Sequence, residues 1–405
     1  KNMISITPYI DPSKLGEYQD KILELYRLDA ELNGLVPKSI RASVEWLLRS
    51  VNCYYSNKIE GNKTHPKDLL TYQNVQDSTS DLPVDVIELL AHLEVQVMLK
   101  NRTVEKKDVV TQNFVKELHN AFYGDGNLPD EILILKDKDG KLYMDENGSH
   151  VHIVPGQYRD RGVIVGNHHP PVPNEIQGYM CWLEQRFNPT NIHGTTPVIA
   201  AAGLHHRLAW IHPFADGNGR VIRLLTDCYM RCAGFGGYGL WSLSRGFCRN
   251  SKEYYTALTE ADKPRQGDSD GRGILSDAGL MYFTKYFVDT AIDQVKFFRG
   301  LLEPIGLRQR IQLYFELRAR GAAPTEDGEQ LPIMKLIAKD IYITLLDRGE
   351  MTRSELCAAL GKGEQTLRPV LKQMQQERLI KLDPKKPITL LLSPHAVEVM
   401  FPKLW

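Results

Sequence analysis

The segment His212-Pro-Phe-Ala-Asp-Gly-Asn-Gly-Arg220, continued by Val-Ile-Arg223, constrains the fold more than any other part of the chain. It separates two stretches whose apolar residues recur at helical spacing, 197–210 and 220–231, and so reads as a tight polar loop between two core helices. Two glycines around Asn218 let backbone N–H groups turn inward at the start of the second helix, where the helix dipole also favours an anion. Arg220 and Arg223, three apart, project from neighbouring points of one helix face and can touch successive phosphates. Asp216 is a hard oxygen donor of the kind Mg2+ shares with phosphates. His212, with an ordinary imidazole pKa of about 6.5, can take a proton from an attacking hydroxyl. A base, a metal ligand, an anion nest and a charge clamp thus fall within twelve residues, a pattern far more specific than a lone Gly-x-Gly capping turn.

Composition excludes several classes. Lys plus Arg equals Asp plus Glu at 50 each, so no global field draws the chain to nucleic acid or an anionic membrane. No apolar run reaches the ~18 residues needed to span a bilayer, and the first residues lack a signal-peptide core. The six cysteines are scattered without a CxxC pair, which predicts a reduced, cytoplasmic protein. At 405 residues the chain should hold two or three domains.

The periodicity predicts a mainly α protein. Helices are expected at 15–32, from Pro37 through Val51, at 84–99 and at 111–122, forming an N-terminal helical region over 1–105. Between 125 and 172 the runs ILIL, KLYM and VHIV, separated by Asp139-Gly140 and Asn147-Gly148, predict hairpins. Helices at 175–187, 197–210, 220–231, 251–260 and 276–299 should build the main bundle of a 106–320 domain. After a Pro/Gly/acidic linker at 321–332, helices at 333–347, 353–360 and 364–377 precede short strands near Ile380 and 388–392. That is the order of a winged helix over 333–405.

At the loop the chain resembles the Fic family, whose motif HxFx(D/E)GNGRxxR it matches at every position. The likeness extends to Val110–Phe122, to Pro155-Gly156-Gln157-Tyr158-Arg159 and downstream to about Tyr255, roughly half the chain; the hairpin-rich insertion at 124–154 departs from it. The resemblance implies a Fic-type helical bundle with a β-hairpin flap, and a protein adenylyltransferase that moves AMP from ATP to a Ser, Thr or Tyr hydroxyl. It implies His212 as the general base and Asp216 as the Mg2+ ligand. Gly217, Asn218 and Gly219 would form the anion nest, with Arg220 as clamp and Arg223 on the γ-phosphate. It also implies that Val163, Ile164 and Val165 form the flap that docks the target backbone, although these three could instead fill a hairpin core. Ser56-Asn57-Lys58-Ile59-Glu60-Gly61-Asn62 resembles the family's (S/T)xxxE(G/N) inhibition motif. Ser56 and Glu60 share a helix face, and Glu60 is expected to pair with Arg223. Related members move other phosphate-containing groups, or remove AMP with the same Glu.

Other patterns weigh less. His168, His169, His205 and His206 lack acidic or Cys partners at metal-ligand spacing and read as structural. Asp137-Lys138-Asp139-Gly140 reads as a turn rather than a calcium loop. Cys228 with Cys232, and the pairs Tyr54-Tyr55 and Tyr254-Tyr255, read as packing. Eleven Lys/Arg stand against seven Asp/Glu over 335–394, which leaves DNA contact and dimerisation open for the C-terminal domain and makes a DNA-binding regulator with a nucleotide-sensing Fic-like domain the rival reading. Expected partners are ATP, a protein substrate including the chain itself, and no membrane.

Overall fold

A computed structural model describes all residues except 1–4, 67, 70–81, 125, 127, 138, 324–327 and 329. The chain divides into two compact units, one of residues 1–29, 52–238 and 242–294, the other of 30–51, 239–241 and 295–405. Both are mainly helical.

The first unit is organised around the helix Thr196–Ile211, which is buried on nearly every side because its sequence, TPVIAAAGLHHRLAWI, is apolar all round. Its most extensive contacts are with Asn218–Cys232, the helix that follows the motif loop. Gln112–Tyr123 packs on Asn218–Cys232, and Pro173–Phe187 and Ser251–Asp262 on Thr196–Ile211. Gln112–Tyr123 starts where Thr111 Oγ1 accepts the Phe114 N–H at 3.2 Å, an N-cap of the expected chemistry.

The helix Lys38–Ile59 ends in a full Schellman turn: Gly61 N–H bonds Lys58 O at 3.0 Å and Asn62 N–H bonds Asn57 O at 3.1 Å. Gly61 sits at φ +90°, a conformation that a residue with a Cβ adopts only with strain. This turn fixes where Glu60 and Asn62 lie.

The hairpin region holds three short antiparallel segments, each paired with the other two through the bridges Ile134–His152, Lys136–Leu142 and Met144–His150. Its turns form where Asp137 and Asp145 each accept two backbone N–H groups, a turn at Asp137 as expected. The run ILIL is not strand throughout, because Asp130–Leu133 forms one helical turn after Pro129.

In the second unit, Pro304–Ala319 is a helix that the periodicity did not reveal, capped by Glu303, whose carboxylate accepts from Ile305 N and Gly306 N. The next helix starts at Ile337 rather than Ile333. Arg353–Leu360 and Glu364–Gln376 follow, then an antiparallel ribbon of Ile380–Lys381 with Thr389–Leu390, and a last helix Pro394–Met400. Arg318, fully buried, pairs with Glu377 at 2.5 Å and ties Pro304–Ala319 to the turn before the ribbon.

Thr352 and Glu355 form a complete capping box at the start of Arg353–Leu360. Thr352→Ala is expected to cost about 1 kcal/mol, visible as a lower midpoint in urea unfolding of the full chain.

Candidate functional site

His212 ends the Thr196–Ile211 helix in the left-handed conformation, φ 50° and ψ 61°, with its N–H on Leu208 O at 3.0 Å. A histidine there is uncommon and persists only where its surroundings impose it. Arg159 supplies much of that constraint. Its buried guanidinium donates to the carbonyls of His212 (2.8 Å), Pro171 (2.6 Å) and Arg161 (2.8 Å), and its own N–H bonds Pro213 O at 2.9 Å. Asn218, 3% exposed, completes the lock by accepting the Phe214 N–H at 2.9 Å and donating to Phe214 O at 2.8 Å. The Asn218 side chain therefore holds the loop, and only its backbone can contribute to an anion nest.

Phe214 stacks on His119 at 4.0 Å. His119 Nδ1 must accept, since Gly156 N–H points at it (2.9 Å), so Nε2 carries the hydrogen donated to Asp216 O at 3.2 Å. Burial lowers the His119 pKa to about 4.

The His212 pKa is also lowered to about 4, first by burial and then by Arg159, with a hydrogen bond to the Ala209 backbone acting the other way. The half-buried ring is thus neutral near pH 7 and able to accept a proton.

Asp216 is half exposed, and its Oδ2 accepts from Tyr123 Oη at 2.8 Å with Arg220 Nη2 at 3.5 Å. Burial would raise its pKa, but Arg220, the Tyr123 hydroxyl and the Gly217 N–H outweigh that and lower it. The carboxylate is ionised and reachable, which fits the single hard ligand Mg2+ takes when phosphates complete its shell. No cluster of three or more His, Cys, Asp or Glu occurs among the described residues.

Asn218–Cys232 begins here, and its first-turn N–H groups have no carbonyl one turn back. Arg223, 3% exposed, donates to Ser56 Oγ (2.7 Å), Ser56 O (2.9 Å) and Glu60 Oε1 (2.5 Å). The expected Glu60–Arg223 pair is formed across 163 residues of sequence. Burial lowers the Arg223 pKa and Glu60 more than restores it, for a net rise. A Cβ on Gly219 would collide with the Glu60 carboxylate, so Glu60 lies against the nest itself.

Arg220 donates through Nη1 to Glu88 and through Nη2 to Tyr123 Oη at 2.7 Å, and it stacks on Phe122 at 4.4 Å. Tyr254 Oη meets His205 at 2.9 Å, and His205 in turn meets Thr226 Oγ1 at 2.8 Å. His206 has an acidic partner after all, Asp262 at 2.9 Å, which spacing in sequence does not reveal. Val165 and His168 form a two-residue hairpin. Ile164 (64%) and Val165 (39%) face solvent rather than a core, and Val163 is half-buried.

Fold and loop together define the class: residues 110–230 match the family model described as the Fic/DOC family, so the chain carries a Fic/DOC domain. It is similar to the protein adenylyltransferase Fic of Nematostella vectensis, 27% identical over 235 residues, covering 56% of this chain and 46% of that protein. The protein of the same description from Culex quinquefasciatus is 27% identical over 238 residues, covering 57% and 40%. The chain spans less than half the length of these curated relatives. Among solved structures, a Fic family protein from Desulfovibrio desulfuricans G20 superposes with a TM-score of 0.50 at 17% identity, covering 96% of this chain and 98% of that one. This last likeness concerns the fold.

Sequence alone does not mark Glu88, Tyr123, Arg159 or Tyr254 as site residues. The one local signal is the Pro155–Arg159 match, since the other three lie on helices whose pattern reads as packing. Both His212 and His119 bind a proton more weakly in the folded chain than their ordinary value of about 6.5. Stability should therefore decline as pH falls from about 6.5 through about 4, and NMR titration should place both ring midpoints well below 6.

Proposed function

We propose that the chain is a protein adenylyltransferase that transfers AMP from ATP to a Ser, Thr or Tyr hydroxyl and restrains itself through Glu60. The observation that carries the reading is the motif loop itself: a neutral, half-exposed imidazole held in a strained conformation beside an ionised carboxylate and two buried arginines. The names of the relatives support the choice of AMP.

In this reading the triphosphate lies on the first turn of Asn218–Cys232, with the N–H groups of Gly217, Asn218 and Gly219 toward its oxygens. Arg220 and Arg223 clamp it, Arg223 at the γ-phosphate. Asp216 would hold Mg2+, which would neutralise part of the charge on the bound phosphates. His212 accepts the acceptor hydroxyl's proton as its oxygen bonds the α-phosphorus, and the bond to the β-phosphate oxygen breaks, releasing pyrophosphate. Catalysis is then mainly positioning and electrostatics. Exposed Ile164 and Val165, with Val163, present an extended segment to which a target backbone can add as a strand. The helices Ile337–Arg348, Arg353–Leu360 and Glu364–Gln376, with the ribbon that follows them, would form a winged helix that recruits the target.

Glu60 occupies Arg223 at 2.5 Å, where the γ-phosphate contact belongs. ATP can bind, but with its α-phosphate turned from in-line attack, so repression is geometric rather than competitive.

With labelled ATP and Mg2+, His212→Ala is expected to lower transfer by at least about 10²-fold while the fold persists. Glu60→Gly should raise transfer above wild type at saturating ATP, Arg223→Ala should not, and Glu60→Gly with His212→Ala should return to background. A folded Glu60→Gly chain that labels no faster than wild type refutes the restraint.

A further inference from the structure

The other motif arginine is also taken. Arg220 is 5% exposed and its guanidinium edge is committed, Nη1 to Glu88 and Nη2 to Tyr123. Only Nε is buried without a partner. Glu88 lies on the helix Val84–Lys100, far in sequence from both the motif and the inhibition-like segment. Its second oxygen accepts from Asn62 Nδ2 at 3.0 Å, and the same amide donates to Asp85 O at 2.9 Å. Asn62 Oδ1 in turn accepts the Thr64 N–H at 3.0 Å, so the amide orientation is fixed at both ends.

Glu60 and Asn62 flank Gly61 in the Schellman turn, and their side chains reach different arginines. Glu60 meets Arg223 directly, and Asn62 reaches Arg220 through Glu88. A triphosphate approaching Arg220 meets a carboxylate already on it, as it does at Arg223.

We propose that Glu88 is a second restraining carboxylate, held on Arg220 by Asn62, so that the turn at 60–62 withholds both motif arginines from a triphosphate at once. The proposal rests on the reading of Arg220 as a phosphate ligand. Glu88 is a positioning residue here, acting on substrate only through Arg220. Unlike Glu60, whose effect is on the placement of the α-phosphate, Glu88 competes with the nucleotide for one guanidinium. Its effect therefore falls on affinity.

The test measures equilibrium binding of labelled ATP with Mg2+ to the full chain, with Glu60 intact. Glu88→Gln keeps the shape and removes the charge, and is expected to lower the ATP Kd about tenfold, the factor that corresponds to about 1.4 kcal/mol. Asn62→Asp keeps the acceptor for Thr64 N–H but turns a donor into a like charge beside Glu88. It should shift Kd in the same direction, and adding it to Glu88→Gln should give no further gain. In the Glu60→Gly background, Glu88→Gln should lower KM for ATP without lowering kcat. A purely orienting Glu88 would instead lower kcat there, and that result, or an unchanged or weaker Kd in both single variants with thermal melts near wild type, overturns the proposal. Should Glu88→Gln not fold, Asn62→Asp decides alone. Arg220→Ala is the control: if it leaves Kd unchanged, the reading of Arg220 as a phosphate ligand fails and the proposal falls with it, independently of whether Glu60→Gly activates.

Discussion

Burying two guanidinium groups three residues apart at one helix start is the constraint on which the rest of the site depends. A buried arginine without an anion or several oriented acceptors costs several kcal/mol. Arg220 and Arg223 meet that requirement from opposite sides, Arg220 with Glu88 and the Tyr123 hydroxyl, Arg223 with Glu60 and two oxygens of Ser56. Each choice of partner draws another helix to the motif: Val84–Lys100 and Gln112–Tyr123 for one, the end of Lys38–Ile59 for the other. The N-terminal helices are thus fastened to the loop by charge as well as by apolar contact. The same guanidinium groups are those a polyphosphate would seek.

The loop itself is held by a different means. Arg159 directs its guanidinium donors to backbone carbonyls on both sides of the loop. Burial lowers its pKa accordingly. Asn218 closes a two-bond fork on Phe214, and Phe214 is stacked on a histidine whose tautomer is set by backbone at both nitrogens. Together these leave His212 little freedom despite its unfavourable φ. In its proposed role as base, a ring so fixed loses little entropy on reaching the geometry in which it takes the proton.

Much of the site was legible in sequence because its parts are local. His212 to Arg223 span one turn and the start of one helix, so spacing alone places them together, and Gly61 signals the helix end that positions Glu60. What sequence did not disclose are partners brought in from afar. Glu88 and Tyr123 sit 132 and 97 residues from Arg220 on helices whose pattern says only that one face is buried. The same holds for His206 and Asp262, 56 residues apart. Among the elements, Pro304–Ala319 is not legible because its charges are interspersed among its apolar residues, in PIGLRQRIQLYFELRA, where Arg318 is itself buried against Glu377. Leu243–Arg249 is too short for periodicity to register. Hairpins are expected around the run ILIL, but a Pro-initiated helical turn takes its first half.

The burial of the Glu60–Arg223 pair is lopsided, and that decides which partner can move. Arg223 is 3% exposed in the middle of a packed helix face, whereas Glu60 is 36% exposed at a helix end, where the last turn is the least costly part to displace. Because Glu60 is reached by solvent, opening the pair costs less than the ~3–5 kcal/mol of breaking a fully buried one, which puts it within reach of an ordinary binding partner. If Glu60 leaves, Ser56 still accepts two hydrogen bonds from Arg223, at 2.7 and 2.9 Å. The guanidinium then keeps its aim and loses only its anion. That is how the proposed restraint differs from a structural ion pair: removing Glu60 does not disorganise Arg223, it leaves a buried positive charge at the proposed phosphate site.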